Sequence, residues 1–396
     1  MRTSARVGFP VGEATTVAEL EGDPHPRLAE LRQTEPVSWV PALNGWLVTR
    51  HDLASVVLRA PGAFTVDDPR FSTARVLGPS MLSLDGSDHS RHRDAFARAF
   101  RPEETHRRFA EAVESEAHRL VAAMRPQRRA ELRTALAGPL AASVLTTALG
   151  LADAEVVTVR RWYDAFVAAV SAITAGERPS GTAEDALAEL RDAVQGQLGD
   201  PREESLLAGA LREPGALSTT EIVSNAAVLM FGGIDTAEGM VANAVLHLLS
   251  HPDQSALVRG DPSLLDAAVE ESARLEPAAA MVDRYATGDT DLGGVHIRAG
   301  DPVTVSLAGA NRDPDVFTDP DSFDVRRANL GRHLAFARGP HFCFGAHLAR
   351  LETRTAVREL LAQLPALVLD SAHTDPPQGL VFRKPPRVSV RWDTQS

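Results

Sequence analysis

The chain has a single cysteine, Cys343, which lies among phenylalanines and glycines in the segment HLAFARGPHFCFGAHLARLE (333–352). A helical pattern begins directly after Gly345, so we expect the thiol at a helix N-terminus. The backbone N–H groups and the positive dipole there favour the thiolate, which is the form that acts as a nucleophile or a metal ligand. The neighbouring aromatic rings would exclude water and accommodate a flat, apolar group. A lone cysteine is also commonly a buried side chain without a chemical role, and its position alone leaves this alternative open.

A second segment, FGGIDTAEG (231–239), places two glycines, an acid and a hydroxyl inside a long apolar helical pattern. A glycine in a helix interior costs about 1 kcal/mol relative to alanine, so the segment breaks a stability rule. A hydroxyl that hydrogen-bonds back to the helix, or a kink filled by water, accounts for such a site. Close packing of another helix against the Gly-Gly pair is the alternative.

Two pairs of charged or polar residues have the spacing of one helix face. Glu271 and Arg274 are separated by three positions, and His89 and Arg93 are separated by four. Residues at these spacings are neighbours on a helix, and an exposed ion pair contributes only roughly 0.2–0.5 kcal/mol. Taken alone, Glu271 and Arg274 are better explained as a solvated surface pair, and a surface position explains His89 at least as well as a binding site.

Taken in order, these segments resemble the cytochrome P450 superfamily. Phe336, Gly339, Cys343 and Gly345 match its haem-binding signature, Phe-Gly-x-Gly-x-x-x-Cys-x-Gly. Ala337 is the one signature position that departs, because the family usually has glycine there. The resemblance implies that Cys343 is the axial ligand of the iron of haem b, and that Phe336 and Gly345 belong to the cofactor-binding loop.

The resemblance also assigns roles to the charged pairs. It implies a buried structural triad, formed by Glu271, Arg274 and Arg327, with Arg326 as an alternative third member. Haem carries two propionate groups that need cationic or hydrogen-bonding partners. The residues that match the family's propionate donors are His89, Arg93, Arg284 and His341.

The glycine-rich helical segment matches the family motif Ala/Gly-Gly-x-Asp/Glu-Thr. The match implies that Thr236 hydrogen-bonds dioxygen or an adjacent water molecule, and that Asp235 relays protons from solvent. The implied reaction is monooxygenation, in which one oxygen atom enters the substrate and the other leaves as water. Related peroxide-using enzymes often lack this acid and alcohol, so the pair favours dioxygen with an external supply of electrons.

The expected substrate is a medium-sized hydrophobic molecule, such as a secondary metabolite, terpenoid, steroid or aromatic compound. The residues expected to line its pocket are mostly apolar. They are Val228, Phe231, Gly232, Ala279, Met281 and Val282. Hydroxylation and epoxidation are the favoured reactions, with oxidative coupling and demethylation as alternatives, because the pose of the substrate determines which atom reacts.

The elements that must position these residues are mainly helices. Ala, Leu, Arg and Glu recur at helical spacing through most of the 396 residues, whereas strand signals are confined to 45–50, 293–307 and 387–392. The pattern predicts a mainly α protein with small β-sheets. The resemblance implies the cytochrome P450 fold, a triangular helical prism around a buried haem, formed by one domain over residues 1–396. The longest predicted helix begins at a capping box of Ser218 and Glu221 and ends before Pro252.

Composition restricts location and partners. The formal net charge of −12 argues against a protein that coats nucleic acid. No segment has the length of an apolar membrane span, no secretory signal is evident, and one cysteine cannot form an internal disulfide. We therefore expect a cytoplasmic monomer without a membrane anchor. The resemblance implies electrons from a ferredoxin or flavodoxin with its reductase. A basic docking patch on this acidic protein is one interpretation of Arg107, Arg108, His347, Arg350 and Arg354, and a solvated helix face is the alternative.

Two rival functions belong to other classes. A haem-thiolate protein that senses a gas or ligand without turnover would keep Cys343 but would not need Asp235 and Thr236. An enzyme with a cysteine nucleophile would need a general base beside Cys343, and His341 is the only near candidate.

Overall fold

The computed structural model describes residues 8–151, 156–174, 176–199, 205–212 and 217–393. Helices dominate the described chain, as the spacing of its apolar residues predicts. The helices are α1 (Pro10–Ala14), α2 (Val17–Glu21), α3 (His25–Thr34), α4 (His51–Arg59), α5 (Ser72–Leu77), α6 (Gly86–Ala97), α7 (Pro102–Met124), α8 (Gly138–Leu149), α9 (Val156–Thr174), α10 (Thr182–Gly199), α11 (Leu206–Arg212), α12 (Thr219–Ser250), α13 (Pro252–Gly260), α14 (Leu265–Leu275), α15 (Leu307–Ala310) and α16 (Ala346–Gln363). A single π-helical turn, Arg133–Ala137, precedes α8.

The strands are short and form small sheets. They are β1 (Val37–Val40), β2 (Gly45–Val48), β3 (Phe64–Thr65), β4 (Arg129–Glu131), β5 (Met281–Ala286), β6 (Thr290–Leu292), β7 (Val295–Ile297), β8 (Pro302–Ser306), β9 (Val368–Leu369) and β10 (Ser389–Arg391). The largest sheet has five strands in the order β1-β2-β8-β5-β3. Within it, β2 and β8 are parallel and the other neighbours are antiparallel.

Two compact units divide the chain. The first contains the described residues up to Thr65, together with 242–343 and 369–389; the second contains those within 66–241, 344–368 and 390–393. The five-stranded sheet belongs to the first unit. Successive residues of β1 and β2 are buried, and because successive strand residues point to opposite sides, both faces of the sheet are covered there. One apolar cluster joins the sheet to α4 and includes Val37, Trp46, Val48, Val57 and Leu58. The other joins it to α3 and includes Leu28, Leu31, Val40 and Leu47.

Helix α12 begins and ends where the sequence predicts. The backbone N–H of Ser218 donates to Glu221 Oε2 at 2.8 Å, and the backbone N–H of Glu221 donates to Ser218 Oγ at 3.3 Å. This capping box satisfies N–H groups that the helix itself leaves without acceptors. The 32 residues of α12 span about 48 Å at the usual rise per residue. Among the described helices, none combines the length and the apolar character that crossing a membrane requires.

Candidate functional site

The cysteine lies at the end of a tight loop. The loop includes one 3₁₀ turn, Gly339–His341, and the backbone N–H of Cys343 donates to the carbonyl oxygen of Phe336 at 2.8 Å. Cys343 is half-buried, and Phe336 is buried, with 7% of its surface exposed. Gly345 follows as the N-cap residue of α16. The backbone therefore fixes the position of the thiol through a hydrogen bond that spans the loop.

Gly339 allows this loop to pack closely on α4. Its φ angle is +74°, and a Cβ atom there would lie 2.3 Å from the carbonyl oxygen of Leu58 and 3.0 Å from Cα of Arg59. Ala337 also has a positive φ angle, +56°. This left-handed conformation explains the glycine that the family usually has at the position, because it costs an L-residue with a Cβ atom roughly 1–2 kcal/mol. The methyl group of Ala337 packs against the apolar cluster of the sheet, which offsets part of this cost.

The predicted propionate donors fall in both units. In the first unit, Arg284 lies on β5 with 5% of its surface exposed, and its Nη1 donates to the carbonyl oxygen of Asp283 at 2.7 Å. His341 is half-buried in the 3₁₀ turn before the cysteine. In the second unit, His89 and Arg93 lie on α6, and His89 is buried. The four residues are arginines and histidines, which are side-chain types that bind carboxylates.

Phe344, the residue after the cysteine, is held by two contacts within the second unit. The guanidinium carbon of Arg93 lies 4.9 Å from the centroid of the Phe344 ring. The ring of Phe100 lies 4.4 Å from the same ring, at an angle of 52°. A cation over an aromatic face is attracted by the ring quadrupole, so Arg93 orients Phe344 as well as offering a positive charge.

Glu271, Arg274 and Arg327 form a connected network. Glu271 and Arg274 have no exposed surface, and the guanidinium Nε and Nη2 atoms of Arg274 donate to the two carboxylate oxygens at 2.7 and 2.8 Å. Arg327 Nε donates to Glu271 Oε1 at 3.0 Å. Arg326 does not take this position, because its side chain is exposed. Glu271 and Arg274 are therefore not a solvated surface pair, which their spacing alone would have allowed.

Arg274 also holds the irregular segment that leads to the cysteine. Its Nη1 donates to the carbonyl oxygens of Asn311 and Pro320 at 3.0 and 2.7 Å, and its Nη2 donates to that of Ser322 at 3.0 Å. All five N–H groups of the guanidinium are thus used. One buried ion pair orders the backbone over residues 311–322, which explains how so long a segment without regular structure is fixed.

On α12, the polar segment 231–239 shows two features that the sequence suggested: a hydroxyl that hydrogen-bonds back to the helix and a glycine at a contact with another helix. The hydroxyl of Thr236 donates to the carbonyl oxygen of Gly232. A Cβ atom at Gly233 would lie 3.3 Å from Leu145 Cδ2, so this glycine allows close packing of α8. Gly232 is exposed, and Asp235 is half-buried. The helix therefore packs on one side at Gly233 and presents an open, polar side at Gly232, Asp235 and Thr236.

Sequence reasoning missed Tyr163. This buried residue lies on α9, and its side chain hydrogen-bonds Asp235. Burial, the charge of Asp235 and this hydrogen bond raise the pKa of Tyr163 above its ordinary range, so its hydroxyl remains a donor. Nothing in the local pattern of α9 distinguishes this tyrosine from a core residue. Only its contact with a residue from a distant segment indicates a role.

The residues predicted to line a substrate pocket fall into two groups. Val228, Phe231 and Gly232 lie on one face of α12, where the first two are buried. The others lie on β5 or directly before it: Ala279 and Val282 are half-buried, and Met281 is buried. Each group presents mostly apolar side chains, as predicted.

The predicted basic patch is partly neutralised. Arg107 Nη2 and Arg108 Nε donate to Glu104 Oε2 at 2.8 and 3.2 Å. Hydrogen bonds from these arginines lower the pKa of Glu104 to about 2, so the carboxylate stays charged. Arg350 donates to the carbonyl oxygen of Ala346 at 3.4 Å. Glu104 therefore offsets part of the positive charge that the sequence suggested at Arg107 and Arg108.

Comparison with known proteins identifies the family. The family model described as Cytochrome P450 matches residues 259–391. Cytochrome P450 monooxygenase PikC from Streptomyces venezuelae is 38% identical over 395 residues, which cover 94% of this chain and 92% of that protein. The chain belongs to the cytochrome P450 family. Another relative of this cytochrome P450 is the mycinamicin IV hydroxylase/epoxidase of Micromonospora griseorubida, 34% identical over 92% of this chain and 95% of that protein.

A solved structure confirms the predicted fold class. The crystal structure of P450BioI in complex with hexadec-9Z-enoic acid ligated acyl carrier protein has a TM-score of 0.85 and 28% identity, and the match covers 94% of this chain and 99% of that chain. As a cytochrome P450, the protein is a haem-dependent monooxygenase. Its donor set fits a haem-thiolate group, because one half-buried thiol lies at the end of a tight loop and the predicted donors are arginines and histidines, which bind carboxylates.

Proposed function

We propose that this cytochrome P450 hydroxylates or epoxidises a medium-sized hydrophobic small molecule, with Cys343 as the thiolate ligand of haem b. The observation that carries the proposal is the hydrogen bond from the Cys343 backbone N–H to the Phe336 carbonyl oxygen, which closes the loop before the thiol. Gly339 allows this loop to pack against α4. When bound, the thiolate-ligated haem supplies dioxygen activation. The rest of the catalytic work belongs to residues of the chain.

Four side chains bind the haem propionates in this proposal. They are His89, Arg93, Arg284 and His341. The burial of His89 and Arg284 supports the assignment, because an ion pair or hydrogen bond to a carboxylate is stronger when it is removed from water. Phe336 and Gly345 complete the cofactor-binding loop.

Asp235 and Thr236 deliver protons. The Thr236 hydroxyl donates to the carbonyl oxygen of Gly232, so the lone pairs on its oxygen remain available to accept a hydrogen bond from a water molecule. The half-buried carboxylate of Asp235 takes a proton from solvent and passes it to that water. This role distinguishes an enzyme from the rival sensor, which has no use for an acid and an alcohol.

The substrate contacts Val228, Phe231, Gly232, Ala279, Met281 and Val282. Their apolar character supports a hydrophobic compound, such as a secondary metabolite, terpenoid, steroid or aromatic molecule. The relationship to the mycinamicin IV hydroxylase/epoxidase supports hydroxylation or epoxidation over oxidative coupling or demethylation.

Electrons come from a ferredoxin or flavodoxin with its reductase. The ferredoxin or flavodoxin docks on the basic residues of α7 and α16, which are Arg107, Arg108, His347, Arg350 and Arg354. The charges of these basic residues support an acidic partner, because complementary charge steers association.

The protein acts as a cytoplasmic monomer, and residues 1–396 form one cytochrome P450 domain.

The proposal is tested with a panel of mycinamicin IV, hexadec-9Z-enoic acid, testosterone and limonene. We expect at least one compound to shift the haem spin state, and the enzyme supplied with a plant-type ferredoxin and reductase to oxidise it. Under ¹⁸O-labelled dioxygen the product should gain one labelled oxygen atom. A product whose new oxygen comes from labelled water, or binding without any turnover, would contradict the proposed reaction; the second result would favour the sensor.

A further inference from the structure

Helices α9 and α12 are joined by two polar side-chain contacts within the second unit. Tyr163 of α9 hydrogen-bonds Asp235 of α12. Arg160 of α9 approaches Glu238 of α12, with 3.9 Å between its Nη2 and the carboxylate Oε2. On each helix the two contacting residues are three positions apart, and they pair in opposite order along the two helices. Helices α9 and α12 therefore run antiparallel where these residues meet. Tyr163 therefore reaches Asp235 through a defined register of the two helices.

A third element fixes this register. Arg133, in the π-helical turn before α8, donates its Nε to Glu238 Oε1 at 2.7 Å, and its Nη2 lies 2.6 Å from the same oxygen. Gly138 allows the close approach, because a Cβ atom there would lie 2.5 Å from Arg160 Nη1 and 3.1 Å from Glu238 Oε2. Glu238 is 3% exposed, so its charge is compensated by these arginines rather than by water.

Burial, together with the acidic groups near Tyr163, raises the pKa of its hydroxyl and keeps it protonated. Asp235 and Glu238 face it from α12, and Asp164 lies beside it on α9. A phenol in such surroundings donates a hydrogen bond and does not ionise. The Asp235 carboxylate is thereby held toward α9 by a donor that keeps its own proton.

We propose that Tyr163 is a positioning residue for proton delivery. Its hydroxyl fixes the Asp235 carboxylate in one orientation, and the Arg133–Glu238–Arg160 cluster maintains the register that makes this contact possible. Tyr163 keeps its proton throughout, and the transferred proton moves from solvent to the Asp235 carboxylate and then to water. The inference rests on the proposed role of Asp235.

Tyr163→Phe tests the inference, since it removes only the donor. With the panel compound that the wild-type enzyme oxidises, we expect kcat to fall by about tenfold, a fraction of what loss of a general acid–base group costs. KM for that compound should change less than about twofold, and the solvent deuterium isotope effect should rise, because proton delivery becomes slower. The matched control is Trp162→Phe. This variant removes the 2.7 Å hydrogen bond from Trp162 Nε1 to Glu189 Oε2 and leaves the contact of Tyr163 with Asp235 in place. We therefore expect kcat to stay near the wild-type value.

A spectroscopic readout is independent of turnover. The chain contains two tyrosines, Tyr163 and Tyr285, so labelling with 3-fluorotyrosine gives two ¹⁹F resonances. In the diamagnetic, reduced carbon monoxide complex, Asp235→Asn should shift the Tyr163 resonance and leave that of Tyr285 in place. Tyr163→Phe assigns the signals by removing one of them.

The outcomes separate the two proposals. If Asp235→Asn does not slow turnover, the proton relay itself is wrong. If Asp235→Asn slows turnover but Tyr163→Phe resembles the wild type and the Tyr163 resonance does not move, the inference about Tyr163 alone is overturned. An equal loss of kcat in the Trp162 control would likewise overturn it, because the effect would then reflect general damage to α9.

Discussion

At the scale of single residues, the cysteine loop depends on two positions with left-handed backbone. Gly339 and Ala337 both have positive φ angles, and Gly339 also lies against the backbone of α4. Glycine adopts this conformation without a steric penalty, whereas alanine does not. The chain therefore accepts strain at Ala337, where the methyl group packs on the sheet core, but has no room for a methyl group at Gly339.

We predict that Gly339→Ala destabilises the loop by at least about 2 kcal/mol, from the unfavourable backbone conformation and the clash with Leu58. Haem content after purification and the midpoint of urea unfolding measure the effect. Gly331→Ala is the matched control, because a Cβ atom there meets no described atom within 4 Å. Equal stability of the two variants would show that the loop tolerates the methyl group by moving.

Buried His247 should make the protein sensitive to acid. Burial lowers the pKa of His247 to about 3, and its Nδ1 lies 2.9 Å from Ser272 Oγ. Because the folded state disfavours protonation, stability is complete above the ordinary histidine pKa of about 6.5 and falls as the pH decreases toward the folded value. Between pH 6.5 and 5 the expected loss is about 2 kcal/mol. Urea unfolding across this range should show a smaller loss in His247→Gln; an identical slope would contradict the assignment.

At the scale of elements, the Glu271–Arg274 pair joins a helix to an irregular segment. Arg274 contacts three carbonyl oxygens between Asn311 and Ser322 in addition to the carboxylate, so one side chain of α14 replaces the hydrogen bonds that a regular element would supply. Lysine has neither the five N–H groups nor the planar shape of arginine.

Arg274→Lys should therefore lower stability by roughly 3–5 kcal/mol, because it leaves a buried carboxylate and several carbonyl groups poorly satisfied. We expect little folded, haem-containing protein, as measured by absorbance and by urea unfolding. Arg326→Lys, at an exposed position in the same region, should behave like the wild type. Normal haem content and stability in Arg274→Lys would show that the pair is not the anchor of this segment.

The sequence predicted elements whose signals are local and missed those that depend on distant partners. The start and end of α12 follow from Ser218, Glu221 and Pro252, which act on adjacent turns. Strand β5, in contrast, contains Asp283 and Arg284 and lacks strict alternation, so it was recognisable only from its pairing with β8. The same limit applies to the site, since motif residues were found from spacing whereas Tyr163 required a contact between helices.

At the scale of the whole molecule, the net charge of −12 opposes association with an acidic electron donor unless positive charge is concentrated locally. Helices α7 and α16 carry the arginines proposed for this purpose. Glu104 pairs with Arg107 and Arg108 and so reduces the local positive potential. Its effect on association is screened by salt, because these groups are near the surface.

Glu104→Gln should strengthen docking of a plant-type ferredoxin by about two- to threefold at low ionic strength, because it removes one negative charge beside two arginines. The measurement is the rate of ferredoxin-dependent reduction under carbon monoxide as a function of salt. Glu116→Gln is the control, since Glu116 pairs with Arg119 elsewhere on α7 and its loss should have a smaller effect. Equal rates in the wild type and both variants would place the docking surface elsewhere.

The most direct test of the central claim is the carbon monoxide difference spectrum of reduced Cys343→Ser, compared with that of the wild-type protein. If Cys343 is the axial ligand, the wild type shows the thiolate-ligated band, and the variant lacks both this band and oxygenation of the panel compound. A variant that keeps the thiolate band and normal turnover would contradict the account.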